Sequence, residues 1–309
     1  MCIFAQPVVS VADTAIFARM LPDGRQGLVY QMAFESTKRN AIILPLPVEL
    51  PANEKDSLEF ISLKGYGNFF KDLNRGFPLL AFPGPSTAAR GSVDSLADPK
   101  LVVHDVGDFV ASFVPTLADF DRLDEQFQLP KESWDKIPKY ADYGFAVFQL
   151  KELSGKPHPM AFKFRSRLAK DSKNSIFFPT VHIHDGEVHQ REKFDHTLFL
   201  QAPQYDEVCG DYHQEKKLVP DPSTGYVRSV RPAKNYCKIE KSKGLLDGDQ
   251  FLHRLEMVGT FANEDVVANL SVSKKSVGFI PRSFLRPSIV AAACGMAGLS
   301  WFFLSLIHI

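Results

Sequence analysis

Residues 181–189 read Val-His-Ile-His-Asp-Gly-Glu-Val-His, and their types and spacing suggest metal chemistry. An Asp-Gly pair between two alternating runs is a strong signal for a two-residue hairpin turn. With the turn at Asp185-Gly186, His184 stands opposite Glu187, Ile183 opposite Val188, and His182 opposite His189. Opposed residues share a face of the ladder, and faces alternate along each strand. The pattern predicts His182, His184, Glu187 and His189 on one side, with Val181, Ile183 and Val188 on the other. Three imidazoles and a carboxylate are ligands suited to a divalent transition metal such as Zn, Fe, Mn or Ni. His196, beside Asp195, is an additional ligand or an outer partner of the set. The plainer alternative is a solvated polar face on a hairpin whose other face packs on the core.

The amino terminus offers a second chemistry. Removal of Met1 would leave Cys2 with a thiol nucleophile and an α-amine base on one residue. Arg19 and Asp23 follow. This start resembles the choloylglycine hydrolases, which implies an N-terminal-cysteine hydrolase with Cys2, Arg19 and Asp23 in the catalytic roles. The Arg-to-Asp spacing is longer here, and no later motif of that family is present. The alternative is a small apolar cysteine opening an edge strand. His-x-His followed by Glu likewise resembles the cupin metal motif, but the flanking glycines of that motif are absent and its Glu lies further on.

Other chemistries lack a motif. Asp105, Asp108, Asp119, Asp121, Asp124 and Glu125 contain no Asp-x-Asp-x-Asp-Gly loop and read as solvated surface. There is no Walker loop, no G-x-G-x-x-G and no G-x-S-x-G. Lys+Arg and Asp+Glu balance at 36 each, so nucleic-acid binding has no electrostatic support. The four cysteines hold no C-x-x-C pair, which argues against a disulfide scaffold or a zinc ribbon. Cys209, His213 and Cys237 could form a partial metal set, or Cys209 and Cys237 a disulfide in an oxidising compartment.

The elements that must position these groups are mostly strands. At 309 residues and 45% hydrophobic content the chain can bury a full core. Apolar runs rich in β-branched and aromatic residues predict strands at 26–35, 41–48, 102–114, 144–150, 160–164, 176–183 and within 251–270. Phe69, Leu73 and Phe77 predict a short helix. Thr116 opens another, with Leu117, Phe120, Leu123 and Phe127 on one face. Residues 80–98 read as a loop, and 206–248 as polar and turn-rich. Gly27-Leu-Val-Tyr-Gln-Met echoes 144–150, and Asn40-Ala-Ile-Ile-Leu-Pro echoes 174–179, a sign of two related β units.

The fold class expected is α+β and β-rich: two associated, mostly antiparallel β units, a few short helices and a C-terminal apolar helix. The boundaries expected are 1–129, then 130–280 carrying the histidines, then a membrane segment at 281–303. Residues 304–309, Leu-Ser-Leu-Ile-His-Ile, match the translation of a transposon-end sequencing adapter and are expected to be foreign. As a helix, 288–303 spans about 24 Å, against the ~30 Å hydrocarbon core. Lys274, Lys275, Arg282 and Arg286 precede it, and the positive-inside rule would keep the body in the cytoplasm. No charged region followed by an apolar core opens the chain, so no signal peptide is expected.

Several segments in order resemble an uncharacterised bacterial family, the domain-of-unknown-function group numbered 2330. They are the early Cys2 with a strand pair ending in IILPLPV at 42–48; VGDFVA at 106–111 with the 117–127 helix; YGFAVFQLK at 143–151; and PMAFKF at 159–164 leading to FFP at 177–179. FLHRL at 251–255 is a fifth. The resemblance covers roughly residues 2 to 260 and implies a β-rich α+β fold with an export signal and a C-terminal membrane segment. The missing export signal sets an extracytoplasmic location against the cytoplasmic one. The family implies no activity. The leading expectation is a membrane-associated binding or structural module, with the membrane as partner through the C-terminal segment. The alternatives are a metal-dependent enzyme at the histidines and a Cys2 hydrolase.

Overall fold

Period-two patterning with aromatic and β-branched residues governs most of the chain, and in this computed structural model it becomes strand. The structure describes residues 3–78, 104–105, 107–170, 174–209 and 224–272. In chain order the described strands begin with β1 (Ile3–Phe4), β2 (Ser10–Met20), β3 (Gln26–Glu35), β4 (Ala41–Leu46) and β5 (Leu58–Ser62). There follow β6 (His104–Asp105), β7 (Phe109–Val114), β8 (Gly144–Leu150), β9 (Ser154–Gly155) and β10 (Met160–Phe164). The last are β11 (Ser175–Phe178), β12 (Arg191–Gln201), β13 (Val227–Arg228), β14 (His253–Ala262) and β15 (Val266–Asn269). Three short helices intervene: α1 (Phe69–Asn74), α2 (Lys131–Asp135) and α3 (Arg167–Lys170).

One sheet runs β1-β4-β8-β7-β6. The larger runs β13-β14-β12-β2-β3-β10-β5, with β9 on β3, and β11 pairs with β15 alone. The named strands pair antiparallel except β2 with β12. The protein is thus β-rich α+β with few, short helices. Both sheets mix strands from either side of residue 130: β4 pairs with β8, and β2 with β12. The echo between β3 and β8 joins strands of different sheets. No helix among the described residues is long and apolar enough to cross a membrane. The segments 281–303 and 304–309, like the loop expected at 80–98, lie outside the described residues.

Alternation along the strands sorts their side chains into three apolar layers. Ile42, Leu44, Phe148, Leu28, Tyr30, Phe162 and Leu198 fill the space between the two large sheets. Ile43, Phe145 and Val147, on the other face of the smaller sheet, are covered by Phe120, Phe127 and Trp134. Phe17, Val29 and Phe199, on the outer face of the larger sheet, are covered by Phe69, Phe70 and Leu73 of α1. The expected helix at 116–127 is instead two 3-10 turns, Leu117–Arg122 and Glu125–Phe127. Leu123 is extended, and the Asp124 carboxylate accepts the Gln126 N–H to restart the turn. Phe120, Leu123 and Phe127 are nonetheless buried, as the pattern requires.

Candidate functional site

The Asp185-Gly186 turn forms, but no ladder follows from it. Gly186 has φ +88°, and Glu187 N–H donates to Asp185 Oδ1 at 2.9 Å. The flanking residues find other partners. Ile183 bridges Ile3 in parallel, its carbonyl accepts from Phe4 N–H at 3.1 Å, and the His184 carbonyl accepts from Val8 N–H at 2.9 Å. Asn263 supplies what a hairpin partner would have given. Its Oδ1 accepts His182 N–H at 2.6 Å, and its Nδ2 donates to the carbonyls of His182 and His189 at 2.9 Å each. Competition from the N-terminal strand and Asn263 thus overrides the hairpin ladder while the turn itself persists.

The expected alternation holds over 181–184. Val181 and Ile183 enter the outer layer of the smaller sheet, and Val188 packs beside them. His182 and His184 turn to the opposite side, where His184 meets the edge of Phe4 at 5.8 Å between centroids. There they meet β12. The His182 ring lies 4.7 Å from His184, 4.3 Å from Phe194 and 4.9 Å from His196, all near parallel. Nε2 of His182 and Nε2 of His196 are 3.1 Å apart. One ring donates and the other accepts, so neutral rings here take opposite tautomers. Burial holds both far below the ordinary histidine range and pushes His184 down to about 4. The His182 Nδ1 and His184 Nε2 atoms are buried without a hydrogen-bond partner.

Glu187 and His189 are not part of this cluster. Glu187 pairs with Lys136 at 2.5 Å, and the half-exposed His189 pairs with Asp185 at 2.8 Å. Among the described residues no group of three or more His, Cys, Asp or Glu side chains is placed to hold a metal ion. What converges is a stack of neutral imidazoles and phenyl rings.

Cys2 lies outside the described residues, and Arg19 and Asp23 take separate partners. Arg19 is buried and bonds Asp247 at 3.0 Å, whereas Asp23 sits in the exposed turn after β2 and pairs with Arg25 at 2.6 Å. Cys209 and Cys237 are buried and not joined in a disulfide, and burial pushes Cys237 up to about 12.

Two constellations left no trace in the sequence pattern. His158 stacks on Phe109 at 4.5 Å, and its Nδ1 lies 2.9 Å from Asp108 Oδ2. Burial raises the Asp108 pKa, but the His158 backbone N–H and ring outweigh it and hold the carboxyl below its ordinary value. The His158 Nε2 is buried without a partner. An oriented imidazole of this kind suits proton transfer, but among the described residues no nucleophilic side chain is hydrogen-bonded to it.

The second is a polar cleft of about 570 Å³ on the outer face of the larger sheet. The β2–β3 register slips between Ala12 and Ala15, inserting Asp13 at φ +55°. Bulges of this kind re-aim side chains and end pairing. The parallel β2–β12 ladder accordingly begins only at Ala15 opposite Thr197. The strands diverge before that point, and Asp13 N–H reaches across to Asp195 Oδ2 at 2.8 Å. Asp13, Thr14, Asp195 and Thr197 line the floor, and Asn68 and Lys71 the α1 side. Lys156, at the rim, pairs with Asp13 at 3.5 Å. Thr14 is 1% exposed, and its hydroxyl has no hydrogen-bond partner.

The fold and this geometry define a β-rich protein of two facing, mostly antiparallel sheets with a polar cleft on one outer face. No family model matches the chain, and no curated protein does. Among solved structures it is similar to the crystal structure of baculovirus P35, at 14% identity and a TM-score of 0.44. That match covers 84% of this chain and 96% of the P35 chain. A likeness at this level supports no argument about function.

Proposed function

We propose that the protein is a binding module, not an enzyme, and that the cleft between α1 and the diverging β2 and β12 strands is its ligand site. The observation that carries this is the Thr14 hydroxyl, buried in the floor of an open polar cleft with no partner. A buried hydroxyl without a hydrogen bond costs about 1–3 kcal/mol. A group bound in the cleft would satisfy it. The cleft volume falls in the ~300–1,000 Å³ range of small-molecule sites.

The proposal retains the sequence-based expectation of a membrane tether through the apolar 281–303 segment, with the module held on the cytoplasmic side. It also retains kinship with the 2330 group and an adapter origin for 304–309. Recovery of the gene from an independent source tests the adapter origin: a continuation in Leu-Ser-Leu-Ile-His-Ile contradicts it.

The binding reading is tested by a fragment-library screen with amide chemical-shift mapping. Hits should perturb Asp13 to Ala15, Asn68 to Lys71 and Asp195 to Thr197 together. Hits confined to other surfaces, or no hits, contradict the reading.

A further inference from the structure

Resting on the proposed tether through 281–303, we propose that the outer cover of the larger sheet is a docking face for a bilayer surface carrying anionic headgroups. The charges of the chain balance overall, but the fold segregates them. α1 and the 3-10 turns Lys64–Tyr66, Ala233–Asn235 and Ile239–Ser242 cover that sheet together. Lys238 N–H donates to Tyr66 Oη at 2.8 Å, and Val230 N–H to the Gly76 carbonyl at 3.2 Å, which joins the two segments. Tyr66, Phe69, Leu73, Ala233 and Leu245 turn their side chains to the apolar layer. The intervening Lys64, Lys71, Arg231, Lys238, Lys241 and Lys243 are exposed, and none forms an ion pair among the described residues.

The carboxylates in the same segments do little to cancel these cations. Asp72 is paired with Arg75, Asp249 with Lys234 and Asp247 with the buried Arg19, which leaves Glu240. The cover of the opposite outer face is acidic. Between residues 119 and 135, which lie over the smaller sheet, six carboxylates stand against two cations. The two outer faces therefore carry opposite charge. Near a negatively charged leaflet such a body turns its basic face down and its acidic face away. The cytoplasmic leaflet is the anionic one, and each basic residue close to it gains about fivefold in affinity. A tether raises the local concentration of the face at the surface, so a handful of lysines suffices.

The test floats the full chain with vesicles of phosphatidylcholine alone, or of phosphatidylcholine with phosphatidylserine, at low salt and at about 0.5 M salt. A DNA duplex supplying equal anionic charge is titrated in parallel. Phosphatidylserine should tighten binding at low salt at least about tenfold, and high salt should abolish the difference. Lys238→Gln/Lys241→Gln/Lys243→Gln should remove most of that gain and leave binding to phosphatidylcholine unchanged. Lys38→Gln/Lys55→Gln/Lys131→Gln changes exposed lysines outside this face, removes the same charge, and should keep the gain. Lys71 also borders the cleft and stays in place. Unfolding midpoints equal to wild type will show that both variants fold. Equal losses in the two variants, or no preference for phosphatidylserine, overturn the docking face. Binding to phosphatidylcholine that persists without that preference leaves the tether standing. A lysine-dependent preference with no binding to phosphatidylcholine supports the face and contradicts the tether. Tighter lysine-dependent binding to the duplex assigns the face to nucleic acid and overturns the lipid assignment.

Discussion

Between pH 6.5 and 4.5 the protein should lose most of its stability, and the loss should trace to His182, His184 and His196. The unfolded chain protonates histidine near pH 6.5. In the folded state burial holds all three well below that value, His184 at about 4. A depressed histidine leaves the folded state binding fewer protons than the unfolded state. Stability is therefore complete above pH 6.5 and falls as pH drops towards the folded values. Each such histidine costs up to about 1.4 kcal/mol per pH unit, or roughly 2.7 kcal/mol by pH 4.5. Two of them already approach half of a typical folding free energy of ~5–15 kcal/mol.

The surroundings offer little relief. Phe4 and Phe194 present rings, and Asp195, 3.5 Å from His196 Nδ1, is half exposed. Asp185 is engaged by His189. His189 acts in the opposite direction, since Asp185 raises its pKa, but it lies at the surface and is screened. Urea unfolding at pH 7.5, 6.5, 5.5 and 4.5 measures the slope. His182→Phe/His196→Leu, which removes both ends of the buried pair, should flatten it by more than half. An unchanged slope in that variant would place the acid sensitivity elsewhere.

Asp265→Ala should cost about 3 kcal/mol or more, in the range for breaking a buried hydrogen-bonded charge. Its Oδ2 accepts Tyr140 O–H at 2.6 Å and faces Lys139 Nζ at 3.2 Å. Its Oδ1 accepts the amides of Thr180 at 2.9 Å and Val181 at 3.3 Å. Thr180 Oγ1 returns a bond to the Glu264 carbonyl at 2.7 Å and accepts Val266 N–H at 2.9 Å. The segment carrying His182 and His184 is thus tied to the β14–β15 turn by side chains where a ladder is missing. Removing the carboxylate leaves the buried Tyr140 hydroxyl and two amides without acceptors. Denaturant unfolding at pH 7.5 should show the loss, and the His182 and His196 ring resonances should shift with it. A change below about 0.5 kcal/mol, the size of a neutral surface substitution, would show that this tie carries no weight.

The two histidine segments show how far a sequence carries. Val181 to His184 alternate as read, because period-two burial is a local property. The pairing partner was not local. Asn263 and the residues around Phe4 take the backbone groups that the Asp-Gly turn would have joined to 187–189. His196 reaches His182 from the opposing sheet, a juxtaposition that depends on how β12 packs over β1 and its neighbours. The strands β3, β8 and β10 are mostly apolar and almost wholly buried, so their bounds match the pattern. The cleft had no such signal. Asp13 and Thr14 are ordinary in composition and become distinctive only because a register slip places them at a strand divergence.

A cleft built for a ligand requires the Thr14 hydroxyl to be held for that ligand and not for the fold, and Thr14→Val separates the two. Valine keeps the shape and β-branching of threonine while deleting the hydroxyl. Unfolding of the ligand-free protein in urea at pH 7.5 is the measurement. The variant should be more stable than wild type by about 1–2 kcal/mol, because an unpartnered buried hydroxyl has been removed. A variant less stable than wild type would mean that the hydroxyl serves the folded state, and the cleft would lose its claim as the ligand site.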